Sequence, residues 1–105
     1  IVEYNKCTGQ KDVNSGGMDS RGNDNIFRYN EIYDNLGAGV RLGGDEDKDG
    51  INNQVYGNSI INNKSGGIKF QRSPQGQVCG NEMNGNEKGS STGSFGEDYN
   101  PEKSC

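Results

Sequence analysis

The sequence has no histidine and no tryptophan, only two prolines, and hydrophobic residues fill just 27% of its 105 positions. Without histidine there is no Ser-His-Asp or Cys-His catalysis and no His-based zinc site. Apolar runs stop at two or three residues, far short of the roughly 20 needed to span a bilayer, so no membrane partner is expected. Positive charge is in deficit: 11 Lys and Arg stand against 15 Asp and Glu, a net charge of −4. There is no basic stripe and no interleaving of basic and aromatic residues, which argues against nucleic acid as a partner. An ordinary globule this poor in apolar residues would not offset its chain entropy and would be read as disordered.

What the chain does have is 18 Gly and fifteen Asn, and they recur in register. The stretch from Asn25 to Leu42 returns as Asn53 to Phe70 at a constant offset of 28 over eighteen positions. Asn falls on Asn at three places, Ile32 on Ile60, and Val40-Arg41-Leu42 on Ile68-Lys69-Phe70. A period of this size marks a repeat architecture. Each copy holds three short apolar-bearing runs divided by Asn or Gly, and none carries a 3.6-residue stripe. Three strands with a turn after each describe one coil of a parallel β-helix, with like residues stacked one strand spacing apart, about 4.8 Å. Val55, Ile60, Ile68 and Phe70 are then expected inside, over Phe27, Ile32, Val40 and Leu42. Each coil buries its apolar face only against its neighbours, so a thin core is shared along the axis.

The pattern continues at both ends. Ile1 to Cys7 matches Ile26 to Ile32 at an offset of 25, and Gly16 to Ser20 matches Ala38 to Leu42. Val78 to Met83 matches Val55 to Ile60 at an offset of 23. One column of asparagine therefore runs Asn5, Asn30, Asn58, Asn81. Asn suits the left-handed backbone of a tight corner, and stacked amides can hydrogen-bond along the axis. The organisation expected is coils at 1–24, 25–52, 53–77 and a partial 78–86, then a Gly- and Ser-rich polar tail at 87–105, flexible or folded back as a cap.

The Asn column and the Asn-x-Ile-x-x-Asn…Gly-Ile-x-Phe spacing resemble the right-handed parallel β-helix proteins of the pectate-lyase-like superfamily, over residues 1 to 86. The resemblance implies an all-β fold, a short right-handed parallel β-helix of about three to four coils. It also implies an extracellular, carbohydrate-associated module, the C-terminal part of a polysaccharide-lyase-like protein. In that family the groove follows the strand after the Gly pair, where Asp19, Arg41 and Lys69 stack outward. By the resemblance Lys69 is the candidate base, Arg41 its partner, and Asp19, Arg72 and Gln71 contact an acidic polysaccharide. A lysine base needs neighbours that lower its pKa, as Arg41 would, and cations to stabilise enolate-like charge. The competing reading is an alternating-charge ladder on an exposed sheet, in a structural or adhesive module. Hydrolysis by paired carboxylates finds no such pair here.

Asp45-Glu46-Asp47-Lys48-Asp49-Gly50 opens like a calcium loop. Carboxylates at alternate positions, Asp45, Asp47 and Asp49, suit a hard cation, and Gly50 permits the turn. Position twelve is Tyr56 and not a bidentate Glu, so a solvated acidic turn is the other reading. Cys7 falls in the inward Ile32-Ile60-Met83 column and reads as a buried thiol. A disulfide between Cys79 and Cys105 would pin the tail over the last coil and imply an oxidising compartment, though three cysteines leave other pairings open. Asn63-Lys64-Ser65 is a glycosylation sequon at an expected turn, consistent with secretion. The chain starts at Ile1 inside a repeat and reads as processed or as a fragment. Bare β-helix rims invite pairing, so a homo-oligomer or end-to-end filament is a further expectation.

Overall fold

In the computed structural model, which describes residues 1–105, the chain winds through twelve short strands and one 3-10 turn. The first coil carries β1 (Val2–Glu3), β2 (Lys6–Thr8) and β3 (Gly16–Ser20). The second carries β4 (Ile26–Arg28), β5 (Glu31–Tyr33) and β6 (Ala38–Leu42). The third carries β7 (Gln54–Tyr56), β8 (Ser59–Ile61) and β9 (Ile68–Phe70). The fourth carries β10 (Val78–Cys79), β11 (Glu82–Asn84) and β12 (Ser91–Thr92). Every third strand pairs in parallel, giving three sheets of four strands: β1-β4-β7-β10, β2-β5-β8-β11 and β3-β6-β9-β12. The fold is thus an all-β parallel solenoid of about four turns.

The register is the one the repeat dictates. Val2, Phe27, Val55 and Val78 are successive partners, as are Cys7, Ile32, Ile60 and Met83. Val40 pairs with Ile68 and Leu42 with Phe70. Ten buried apolar residues form one cluster, including Ile32, Val40, Leu42, Val55, Ile60, Ile68 and Phe70. The triangular coil leaves little width: a Cβ on Gly39 would lie 2.6 Å from Ile60 Cγ2. Close approach of the third sheet to the core therefore requires glycine there.

Polar columns replace the missing hydrophobic bulk. Asn5, Asn30, Asn58 and Asn81 form the expected ladder; Asn30 Nδ2 donates to Asn58 Oδ1 at 3.0 Å and Asn58 Nδ2 to Asn81 Oδ1 at 3.0 Å. A second ladder runs Asn35, Asn63, Asn86, and Gln10 N joins its end by donating to Asn35 Oδ1. A third sets Asn25 over Asn53, with Gln75 standing in for Asn below. The left-handed residue is not the ladder Asn itself, as the sequence suggested, but the residue before it: Tyr4, Tyr29, Gly57 and Gly80 in the first column. That kink frees the following amide N–H to reach the ladder oxygen of the next coil.

The segment after Glu87 is folded back rather than flexible, and it goes further than a cap. It completes the fourth coil, since Ser91 pairs with Ile68 and Thr92 with Lys69. It then turns through Gly96–Asp98 and lays Tyr99 on Phe70, rings stacked with centroids 4.3 Å apart. Asn81 Nδ2 donates to Pro101 O, Gly80 N donates to Lys103 O, and Cys79 is bonded to Cys105. Apolar contact with Phe95 and Tyr99 and the disulfide are what hold a Gly- and Ser-rich stretch in place. Cys7 is the remaining free thiol, partly buried.

Candidate functional site

The outward side of the third sheet carries one column: Asp19 pairs with Arg41, Arg41 with Lys69, and Lys69 with Thr92. Strand alternation sends their neighbours Met18, Val40 and Ile68 inward, so these four must face out. Asp19 is fixed from two sides. Its Oδ2 accepts from Gly16 N at 3.1 Å, and its Oδ1 lies 3.6 Å from Arg41 Nη1. The Arg41 side chain is only 16% exposed, yet its Nε is buried without an acceptor, as is Thr92 Oγ1. A buried donor left unpaired is costly and rare. Lys69 makes none of the four ion pairs in the molecule. The column thus brings a free ammonium beside a guanidinium with an unused donor.

The structure does not bring Arg72 to this column's service. Its Nε donates to Glu46 O and its Nη2 to Asp45 O, each at 3.0 Å, and its Nη1 to Gln71 O at 3.1 Å. The residue expected to hold an anionic sugar is occupied with the 45–50 loop instead. Gln71 sits at the strand exit, its backbone N–H bonded to Leu42 O.

In that loop Asp49 Oδ2 accepts from Glu46 N, and Asp45 lies 3.8 Å from Arg21 Nη1. No group of three or more acidic, Cys or His side chains converges anywhere in the chain. As arranged, Asp45, Asp47 and Asp49 do not form a calcium cage. Their alternation along the sequence is broken in space by the turn at Glu46–Asp49, whose backbone bond closes it.

Asn63 is corrected outright. The sequon puts it at an expected turn, where a glycan could point to solvent. It is fully buried in the second ladder, with Nδ2 donating to Asn86 Oδ1 and Ile32 O. A glycan there would break both bonds and the core around them.

The family comparison agrees with this architecture: the description "Right handed beta helix region" matches residues 1–99. The chain belongs to the right-handed β-helix family. Neither the curated proteins nor the solved structures offer a match to it. Membership fixes the winding of the coils and leaves the chemistry of the β-helix to its own side chains.

Sequence reading missed a cleft of about 500 Å³ on this β-helix, at the corner that follows the second sheet. It is lined by Gln10, Lys11, Asp34, Asn62, Lys64 and Glu87 among others. The signal was available in the repeat, because Asp34 and Asn62 are equivalent positions with left-handed backbones. Each stands one residue before a ladder Asn, and both are exposed to solvent.

Proposed function

We propose that this β-helix is an extracellular module that associates with an acidic polysaccharide along its third sheet, as part of a polysaccharide-lyase-like protein. The observation that carries the reading is the register of Arg41 over Lys69, with Arg41 Nε lacking an acceptor and Lys69 lacking an ion pair. Two cations one strand spacing apart suit carboxylates repeated along a polymer. The Cys79–Cys105 bond supports an oxidising, extracytoplasmic setting.

In the catalytic form of this reading, it is the neutral amine form of Lys69 that takes the proton α to a uronate carboxylate, while Arg41 neutralises that carboxylate. The electron pair left on carbon then forms the conjugated C=C bond and expels the glycosidic oxygen, which takes up a proton from water. Cationic neighbours would stabilise the charge that develops. Calcium belongs to the reading as an ion recruited at Asp45, Asp47 and Asp49, and would require Asp49 to release the Glu46 amide.

Incubation with polygalacturonate, with and without calcium, tests both forms. Binding by calorimetry supports the module, and a rise in ultraviolet absorbance supports elimination. A chain that neither binds the polymer nor changes its absorbance sinks the proposal.

A further inference from the structure

Six residues other than glycine adopt a left-handed backbone: Tyr4, Asp24, Tyr29, Asp34, Asn52 and Asn62. Four are Asp or Asn, whose short polar side chains tolerate that conformation. Tyr4 and Tyr29 are the exceptions, and a bulky residue there is a genuine outlier. The equivalent positions in the next two coils are Gly57 and Gly80, so the corner itself does not ask for an aromatic. Burial does not explain the choice, because Tyr4 is 77% and Tyr29 46% exposed. Strain held without burial is typical of binding and switch sites.

The two rings are arranged as a unit. Their centroids lie 5.8 Å apart at an interplanar angle of 25°, an offset stack in which the rings overlap only in part. Tyr29 is fixed from behind. Tyr56 packs edge-on against it at 5.9 Å, and the Arg28 guanidinium lies 5.6 Å from its ring centre. Arg28 is itself held by Glu3 at 2.7 Å and the Tyr56 hydroxyl at 3.1 Å. Beside the rings is a hollow of about 190 Å³ lined by Tyr4, Asn5, Lys6, Tyr29 and Glu31. Lys6 and Glu31 form a solvent-exposed ion pair 3.7 Å apart at its edge.

We propose that Tyr4 and Tyr29, with Lys6 and Glu31, form a glycan subsite at the corner between the first and second sheets, separate from the Arg41–Lys69 column. A pyranose ring has one face of C–H bonds that packs on an aromatic ring and an equator of hydroxyls that need both donors and acceptors. Rigid tyrosines beside an ammonium and a carboxylate supply both sides of that ligand. The ligand class rests on the carbohydrate reading above; the location does not.

The test uses the whole chain, the hexamers of galacturonate and of cellulose, and the double variant Tyr4→Asn/Tyr29→Asn. Asn suits the left-handed corner, so the melting temperature should hold or rise while affinity for at least one hexamer falls tenfold or more. If wild type binds and the double variant binds equally well, the subsite is overturned and the carbohydrate reading survives. If wild type binds neither hexamer, both are overturned. Should the double variant not fold, nitration of wild type with tetranitromethane decides. Saturating hexamer should protect Tyr4 and Tyr29 and spare no protection to Tyr33, and equal nitration of Tyr4 and Tyr29 with and without hexamer refutes the site.

Discussion

Asn30 meets Asn58 twice: its backbone N–H at 2.9 Å and its side-chain amide at 3.0 Å both donate to the Asn58 Oδ1. Asn58 Nδ2 in turn donates to Phe27 O, Tyr56 O and Asn81 Oδ1. Asn58→Ala therefore strands a backbone N–H, a backbone carbonyl and a neighbouring amide in the interior. Each orphaned group costs about 1–3 kcal/mol, so a loss of about 3–5 kcal/mol is expected. Urea unfolding measures it. A midpoint shift worth less than 1 kcal/mol would show that the ladder is ornament on a core that stands alone.

The coils, their register and the inward columns were legible because period and burial agree: Ile60 repeats Ile32, and Phe70 repeats Leu42, at the spacing at which they stack. The first ladder was legible for the same reason. The second was visible as Asn35 on Asn63, but a sequon read in isolation hid its role, since a local motif says nothing about burial. The third could be read only to Asn53, because Gln75 fills the slot with a different residue. The closing segment was legible only at its end, where the Cys79–Cys105 bond is the one expected; Gly, Ser and Thr carry no periodic signal, and Tyr99 on Phe70 is visible only in space. Of the site residues, the register of Arg41 and Lys69 followed from the repeat. Arg72 did not, because loops of unequal length decide what a turn residue meets.

Cys79 and Cys105 are 26 residues apart in sequence, and closing a loop of that size contributes about 3–4 kcal/mol by the chain-entropy estimate. Cys105→Ser should lower stability by that order. It should also speed amide exchange first in residues 91–103, which lose their tether, with β5 and β8 protected longest. Uniform loss of protection along the whole chain would show that the closing segment and the coils unfold as one unit.

Tyr99 joins the core to the turn below it. Its ring stacks on Phe70, while its hydroxyl accepts from Gln75 N at 2.7 Å and bonds Ser73 Oγ at 2.9 Å. Tyr99→Phe keeps the stack and removes both bonds, for an expected cost of about 1–2 kcal/mol. Tyr99→Ala removes the stack as well and should cost about twice as much. Thermal unfolding of the two variants separates these contributions, and equal melting temperatures would assign the effect to the hydroxyl alone.

Arg72 clamps the acidic loop through the carbonyls of Asp45 and Glu46. Arg72→Ala should leave the coils folded, destabilise the protein by only about 1 kcal/mol because both bonds are solvent-exposed, and quicken amide exchange at residues 44–50. A melting temperature that neither calcium nor a chelator moves would remove the ion from the proposed function and leave the loop closed by protein groups alone. A rise in melting temperature on adding calcium would mean that Asp45, Asp47 and Asp49 regroup around the ion, at the expense of the Glu46 N–H to Asp49 bond.

Arg41 and Lys69 share a column but differ in what their loss should do. Arg41 is largely covered and lies beside Asp19, so Arg41→Ala removes packed methylenes as well as a charge and should cost about 1–3 kcal/mol. Lys69 forms no ion pair, and Lys69→Ala should stay within about 0.5 kcal/mol of wild type. If the column binds a polyanion, Lys69→Ala nevertheless weakens polygalacturonate binding about tenfold, the equivalent of about 1.4 kcal/mol. The remaining affinity should also fall less steeply with added salt, because one screened contact is gone. Affinity and salt slope unchanged in Lys69→Ala would assign the column to holding register between coils and move the search for ligand to the two corners beside the second sheet.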